Sequence, residues 1–196
     1  MILSEKLSKN ITNILIDNSI IDNCQSDAYI YCLDFAFDLI FFNMSLLIIG
    51  LFTHSFFLSL LYIITLVPIK MLAGGAHAKN VTSCSIISYI VYILTLISSH
   101  IISFITYINI PIIILTGIGI CILAPVEHIN KRYDAAIKKK IKKYCILNLA
   151  FIYILLIVML LLKLYIYCNL IILCLCIVFF NQLIGLLING DDKNAT

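Results

Sequence analysis

Six long apolar stretches dominate this sequence and restrict what the chain can fold into. They lie at about residues 31–52, 55–70, 85–106, 109–126, 144–162 and 165–188. A helix needs roughly 20 apolar residues to cross the hydrocarbon core of a bilayer. Only 12% of the residues are charged and 63% are hydrophobic, which leaves too little polar surface for a soluble domain of this size. The sequence therefore predicts an all-α membrane protein with six transmembrane helices, folded as a single integral-membrane domain over residues 1–196.

The N-terminal segment, residues 1–28, has a different pattern from these stretches. Between residues 3 and 17 apolar side chains such as Leu7 and Ile11 recur at helical spacing, with charged residues between them. This pattern predicts an amphipathic helix that either lies on the membrane surface or packs on the rest of the protein. The segment lacks an apolar core followed by a small-residue cleavage site, so we expect no cleavable signal peptide.

Basic residues predict how the spans are oriented. Residues 131–143, with the sequence KRYDAAIKKKIKK, are predicted to form a cytoplasmic loop because Lys and Arg concentrate on the inner side of membranes. The uncharged turn at 108–111 suits the outer side, and both termini are then cytoplasmic. The basic loop either sets topology alone or also attracts an acidic substrate segment or anionic lipid.

The most informative stretch is KMLAGGAHAKNVTSC, from Lys70 to Cys84. Gly74 and Gly75 permit backbone conformations that are closed to other residues and allow a close approach of backbone or substrate. His77 and Cys84 supply a base and a nucleophile, since a thiol reacts well only after it has lost its proton. Residues seven apart on a straight helix are separated by about 10.5 Å, so the chain must bend between them.

The start of the third span determines the surroundings of Cys84. Thr82 and Ser83 are residue types that favour the N-cap of a helix. If either caps the third span, Cys84 lies in its first turn, where the helix dipole would favour the thiolate and free N–H groups could hold an oxyanion. From the residues alone, a packing role for Cys84 and an interfacial role for His77 remain open.

Two motifs carry a resemblance to a known family. Gly74-Gly75-Ala76-His77-Ala78 followed by Cys84, with a basic residue at Lys70, is similar to the active-site region of the AgrB family (accessory gene regulator protein B). The run from Ala124-Pro125 to Asn130-Lys131 resembles the family's turn ahead of its basic loop. Length and the six-span layout are also similar. One departure is Lys70, where many relatives carry Arg, because Lys cannot form a bidentate fork with a carboxylate.

The resemblance implies a bacterial cell-membrane cysteine endopeptidase of quorum sensing, with its active site on the cytoplasmic side. It implies that Cys84 is the nucleophile, that His77 is its base, and that the enzyme cuts an AgrD-like precursor peptide near its C-terminal tail. The product would leave as a thiolactone or lactone ring. No metal or organic cofactor and no nucleic-acid partner are expected. Membrane lipids surround the spans, and a homodimer is suggested by the resemblance only.

Several further residues are candidates for supporting roles. Lys70 and Lys79 are expected to help hold an acidic tail of the precursor. Asp34 and Asp38, one helical turn apart in the first span, either orient His77, contact substrate or are solvated at the interface. The eight cysteines form no CxxC pair, which argues against a metal site or a disulfide framework. The main rival function is a non-enzymatic transporter or export subunit for a small peptide.

Overall fold

The fold is helical throughout the part of the chain that the structure describes. A computed structural model describes residues 2–76, 81–101, 109–127 and 133–194. In these ranges the chain forms seven α-helices, a short 3-10 helix at Asn23–Gln25 and no strand. The predicted all-α fold is confirmed. The helices are α1 (Ile2–Asp17), α2 (Ser26–Phe52), α3 (Phe56–Ala73), α4 (Val81–Ile101), α5 (Asn109–Leu123), α6 (Ala135–Leu161) and α7 (Tyr165–Asn194).

Five helical segments in the described ranges are long and apolar enough to cross a bilayer. They match five of the six predicted stretches and lie at Asn23–Phe52, Phe56–Ala73, Ser83–Ile101, Ala135–Leu161 and Tyr165–Ile188. α5 matches the fourth predicted stretch, but its apolar part, Pro111–Leu123, is only about 20 Å long at 1.5 Å per residue. The hydrocarbon core is roughly 30 Å thick. The membrane character is confirmed, whereas the sixth crossing stays a prediction.

The basic segment at 131–143 is helical over most of its length. α6 begins at Ala135, directly after Asp134, whose extended backbone (φ −60°, ψ 150°) is typical of an N-cap residue. Lys138, Lys139 and Lys140 therefore project from the first turns of a helix and are exposed. The prediction of a loop is wrong from Ala135 onward, because Ala and Lys are both good helix formers whatever the charge of the segment.

The chain divides into two compact units, Met1–Phe56 and Phe57–Thr196. In the first unit α1 packs against α2. From residue 4 onward, the buried residues of α1 are Ser4, Ser8 and Thr12, whereas Ile14 is 58% exposed. The predicted helix is confirmed, but hydroxyl side chains spaced four residues apart line its buried face. Apolar surface on α1 therefore stays outside this packing, as expected of a helix that lies on a membrane.

In the second unit α7 is the central helix. α4, α5 and α6 all pack against it. Its first half supplies much of the apolar core, and the residues that are 1% exposed or less are Cys168, Leu170, Ile171, Cys174, Leu175 and Val178. α7 therefore forms the centre of this unit, and the other helices can be placed by their contacts with it.

Side-chain contacts set the direction and register of α3 and α4. The Thr65 hydroxyl lies 3.8 Å from Cys174 Sγ, and Gln182 Nε2 donates to the Ala73 carbonyl over 3.1 Å. From the first contact to the second, the residue number rises by eight on both helices, from 65 to 73 and from 174 to 182. α3 and α7 therefore run parallel. The Ser59 and Tyr92 hydroxyls are hydrogen-bonded at 2.6 Å. This contact pairs the start of α3 with the middle of α4. Asn169, near the start of α7, donates to the carbonyl of Ser99, near the end of α4, so α4 runs antiparallel to α7 and α3.

Candidate active site

The end of α3 is held by two other parts of the chain. Gly74 follows the last helical residue and has a φ of 71°, the left-handed conformation that ends many helices. The Ala73 carbonyl has no partner within its own helix and accepts from the Val126 N–H at 2.9 Å and from Gln182 Nε2 at 3.1 Å. Gly74 and Val126 also form an isolated parallel bridge. A side chain at Gly74 would place its Cβ 2.3 Å from the Val126 carbonyl oxygen.

α7 lies directly against the next two residues. Gly75 has a φ of 138°, and the Ala76 N–H donates to the carbonyl of Asn181 over 3.1 Å. Gly185 allows this approach, because a Cβ there would lie 2.6 Å from the Gly75 carbonyl carbon. We call the three converging segments, residues 74–76, 124–126 and 181–185, the glycine junction. Positive φ values at both glycines agree with the backbone freedom that their pairing predicts.

His77 follows the glycine junction directly in the chain. The preceding residue, Ala76, is fixed to α7 through its N–H. His77 and Lys79 themselves lie outside the described residues. α3 ends at Ala73 and residues 74–76 are not helical, so no single helix runs from Lys70 to Cys84. The predicted bend between His77 and Cys84 falls partly on residues 77–80, which lie outside the described ranges.

Cys84 is half-buried and is the fourth residue of α4. The helix begins at Val81, so the expectation that Thr82 or Ser83 caps it is wrong, since both are already helical. Cys84 nevertheless lies in the first turn, as predicted. Backbone N–H groups of a first turn have no partner within the helix, and the dipole there favours negative charge. Free N–H groups at such a position can hold an oxyanion.

The height of Cys84 on α7 follows from the packing of the two helices. Near the other end of α4, the carbonyl of Ser99 accepts from Asn169 Nδ2 over 3.2 Å. Fifteen residues separate Ser99 from Cys84 and Asn169 from Ile184, which is about 22 Å along each helix at 1.5 Å per residue. Because α4 and α7 are antiparallel and in contact, this bond places Cys84 level with Ile184, whereas the Ser59–Tyr92 bond places it level with Cys176. Cys84 therefore lies beside α7 between these two levels, a stretch that includes part of the glycine junction.

Positive charge collects at this same end of the second unit. Lys70 is half-buried in the last turn of α3. Lys138 Nζ lies 3.2 Å from Glu127 Oε1, one residue beyond the glycine junction. The ion pair ties the start of α6 to the junction, so the exposed side chains of Lys139 and Lys140 lie near it as well. Several lysine side chains therefore lie at the end of the second unit that carries Cys84, where they could bind an acidic peptide segment.

Asp34 and Asp38 lie in α2, in the first unit, and both are half-buried. A hydrogen bond and the charge of Glu5 raise the pKa of Lys9 on α1, and the charge of Asp34 adds to this effect. Asp34 Oδ1 is buried and has no hydrogen-bond partner among the described residues. A catalytic or substrate-binding role for either carboxylate stays a prediction.

All eight cysteines are free thiols. Cys145, Cys168 and Cys174 are buried among apolar side chains, where Cys acts as a small hydrophobe. Among the described residues, no group of three or more His, Cys, Asp or Glu side chains could hold a metal ion.

Sequence reasoning missed the contribution of α7 to this site. Contacts at the glycine junction involve Asn181, Gln182 and Gly185 of α7. In the sequence these residues lie inside an apolar stretch that predicts only a transmembrane helix. A signal was present, because two adjacent amide side chains interrupt that stretch. Polar residues within a membrane helix usually face other helices or a functional site.

Comparison with known proteins identifies the family of this chain. A family model described as AgrB, accessory gene regulator B, matches residues 8–184. The chain belongs to the AgrB family. The match covers four of the five long apolar segments and the fifth up to Ile184, and it includes every residue of the glycine junction except Gly185. The chain has no match among curated proteins or among solved structures.

Family membership gives a general role. AgrB proteins are membrane proteins of quorum sensing that process a peptide precursor, and this chain is one of them. The matched residues include Gly74 and Gly75, whose φ values are positive, the first turn of α4 with Cys84, and the lysines at the start of α6.

Proposed function

We propose that this AgrB protein is a membrane cysteine endopeptidase that cuts an AgrD-like precursor near its C-terminal tail. The observation that carries the proposal is that the residue before His77 is held on α7, while Cys84 lies in the first turn of α4, a helix that packs against α7. The junction anchors the residue before His77, and the first turn of α4 carries Cys84. A nucleophile and a base on two short segments fixed to one helix could reach each other, which a single straight helix would prevent.

The proposed reaction has two stages. The Cys84 thiol loses its proton to His77, and Sγ attacks the carbonyl carbon of the scissile peptide bond. The C–N bond then breaks, and His77 gives the proton to the leaving nitrogen, which leaves the peptide as a thioester on Cys84. A thiol or hydroxyl within the peptide attacks this thioester. The ring closes as a thiolactone or lactone, and Cys84 regains its proton.

The direct test uses purified protein in lipid vesicles together with an AgrD-like precursor peptide. We expect two products: a C-terminal tail peptide, and an N-terminal fragment lighter than the linear fragment by one water. Mass spectrometry identifies both. A folded protein that leaves the precursor intact, or moves it uncut across the vesicle membrane, would favour the transporter function.

We infer that Cys84, the basic start of α6 and both termini face the cytoplasm. In a variant without other cysteines, Lys139→Cys should resist an impermeant thiol reagent added to intact cells. Lys163→Cys is the matched control at the far end of α6, about 33 Å away along the helix, and it should be labelled readily. Labelling of Lys139→Cys but not of Lys163→Cys would reverse the proposed orientation.

The basic start of α6 is proposed to hold an acidic tail of the precursor. Replacing Lys138, Lys139 and Lys140 together with Gln should raise KM by about three- to tenfold at low salt, since exposed ion pairs are each worth roughly 0.2–1 kcal/mol. The kcat of the triple variant should change little. Added salt should reduce the difference in KM between this variant and the wild type, because salt screens the charges.

Two controls separate attraction from topology in that experiment. Lys163→Gln removes a charge from the other end of α6 and should leave KM unchanged. A precursor with a neutral tail should be cut equally by the wild type and the triple variant. If the triple variant shows an unchanged KM for the acidic tail at low salt, these lysines set topology only.

A further inference from the structure

We propose that Gln182 is a positioning residue for the peptidase reaction, an inference that rests on the proposed function. The Gln182 side chain is fully buried. Its Nε2 donates to the Ala73 carbonyl, at the last residue of α3. That carbonyl also accepts from Val126, so one amide side chain joins α7 to the two other segments of the glycine junction.

The other end of the same amide points to a role beyond packing. Gln182 Oε1 is buried and has no hydrogen-bond partner among the described residues. A buried, unsatisfied amide oxygen destabilises a fold, and in a membrane helix a leucine of similar size would avoid this cost. Polar groups that are retained at such a cost concentrate at functional sites.

The contacts around Gln182 explain what it could position. Its neighbour Asn181 accepts from the Ala76 N–H, and Gln182 itself holds Ala73. The two ends of the turn that precedes His77 are therefore attached to adjacent residues of α7. Loss of the Gln182 contact leaves the Ala73 carbonyl with the Val126 N–H alone, so the end of α3 loses its direct bond to α7 and this turn can shift along α7. Displacement of a catalytic group by about 1 Å can cost about 10²-fold in rate.

The same helix offers a matched control. Asn169 is also a buried amide of α7, 4% exposed, and its Nδ2 donates to the carbonyl of Ser99 over 3.2 Å. Gln182→Met and Asn169→Leu both remove a buried bond from a side-chain amide to a backbone carbonyl of another helix. Asn169 lies about 20 Å along α7 from Gln182, so its loss should affect stability alone.

The expected result in turnover is a fall in kcat of about 10- to 100-fold for Gln182→Met, with KM nearly unchanged. Asn169→Leu should keep the wild-type kcat at a similar loss of thermal stability. If Gln182→Met cannot be recovered folded, Gln182→Leu tests the same loss. Equal kcat values for the Gln182 variant and the Asn169 variant would overturn the proposal.

A second readout needs no substrate. In a variant that retains only Cys84, the rate of alkylation by iodoacetamide is followed against pH. His77→Ala should shift the midpoint of this profile, and Gln182→Met should shift it in the same direction, whereas Asn169→Leu should not. If His77→Ala leaves the profile unchanged, the proposed His–Cys pair fails. If only Gln182→Met leaves it unchanged, the pair stands and the role of Gln182 is rejected.

Discussion

Replacing Cys84 with alanine is expected to abolish precursor cleavage in a protein that still folds. The substitution removes the sulfur that would carry the acyl group, and Cys84 lies at a half-buried position in the first turn of α4, where alanine is well tolerated. Removing one member of a catalytic unit typically costs roughly 10³-fold or more. His77→Ala should lose a similar amount, and the double variant should be little worse than either single variant. Cleavage assays by mass spectrometry measure all three.

Other cysteines provide the control for that experiment. Cys121 and Cys176 are half-buried as Cys84 is, but Cys121 lies in the last turn of α5 and Cys176 lies near the middle of α7. Their replacement by alanine should leave cleavage within a few-fold of wild type. Cys84→Ser should be inactive, because a hydroxyl is a much poorer nucleophile without a stronger base. Robust cleavage by a folded Cys84→Ala protein would exclude the cysteine mechanism.

The second large effect is expected from Gly185→Ala, a substitution far from Cys84 in sequence. Its Cβ would lie 2.6 Å from the Gly75 carbonyl carbon and 2.7 Å from the Ala76 nitrogen. These are backbone atoms, so the turn before His77 must move by about 1 Å to restore normal contact. A displacement of this size should lower kcat by about 10²-fold. The helix itself gains from the exchange, since Ala favours a helix more than Gly does.

Gly119→Ala is the matched control for Gly185→Ala. A Cβ at Gly119 would lie 2.2 Å from Phe179 Cε2, which is equally crowded. The obstacle there is the far end of a side chain, which can rotate away without moving the glycine junction. Gly119→Ala should therefore keep most of its activity. If Gly185→Ala were as active as Gly119→Ala, the close approach of α7 would have no role in the reaction.

The sequence was informative where a single physical property decided the outcome. Hydropathy identified the apolar stretches, because an apolar run of about 20 residues has few alternatives to a membrane helix. The Gly74–Gly75 pair predicted unusual backbone, and the positive φ values at both residues confirm it. The distance argument also predicted that the chain bends between His77 and Cys84, and this stays a prediction because residues 77–80 lie outside the described ranges.

Local propensity and long-range contacts limited the remaining predictions. Charge suggested a loop at 135–143, but Ala and Lys form a helix there and lengthen α6 by nine residues relative to the predicted span at 144. The role of Asn181, Gln182 and Gly185 could not be read from their own stretch. It depends on a turn about 110 residues earlier in the chain that packs against them.

A covalent intermediate on Cys84 is the central claim, and trapping it is the most direct test. A precursor whose ring-closing thiol or hydroxyl is replaced by an alanine side chain can acylate Cys84 but cannot cyclise. After incubation with the wild-type protein in lipid, mass spectrometry should find the N-terminal fragment attached to the segment that contains Cys84, and hydroxylamine should release it. A released tail peptide with no adduct on Cys84, or an adduct on another cysteine, would contradict the account.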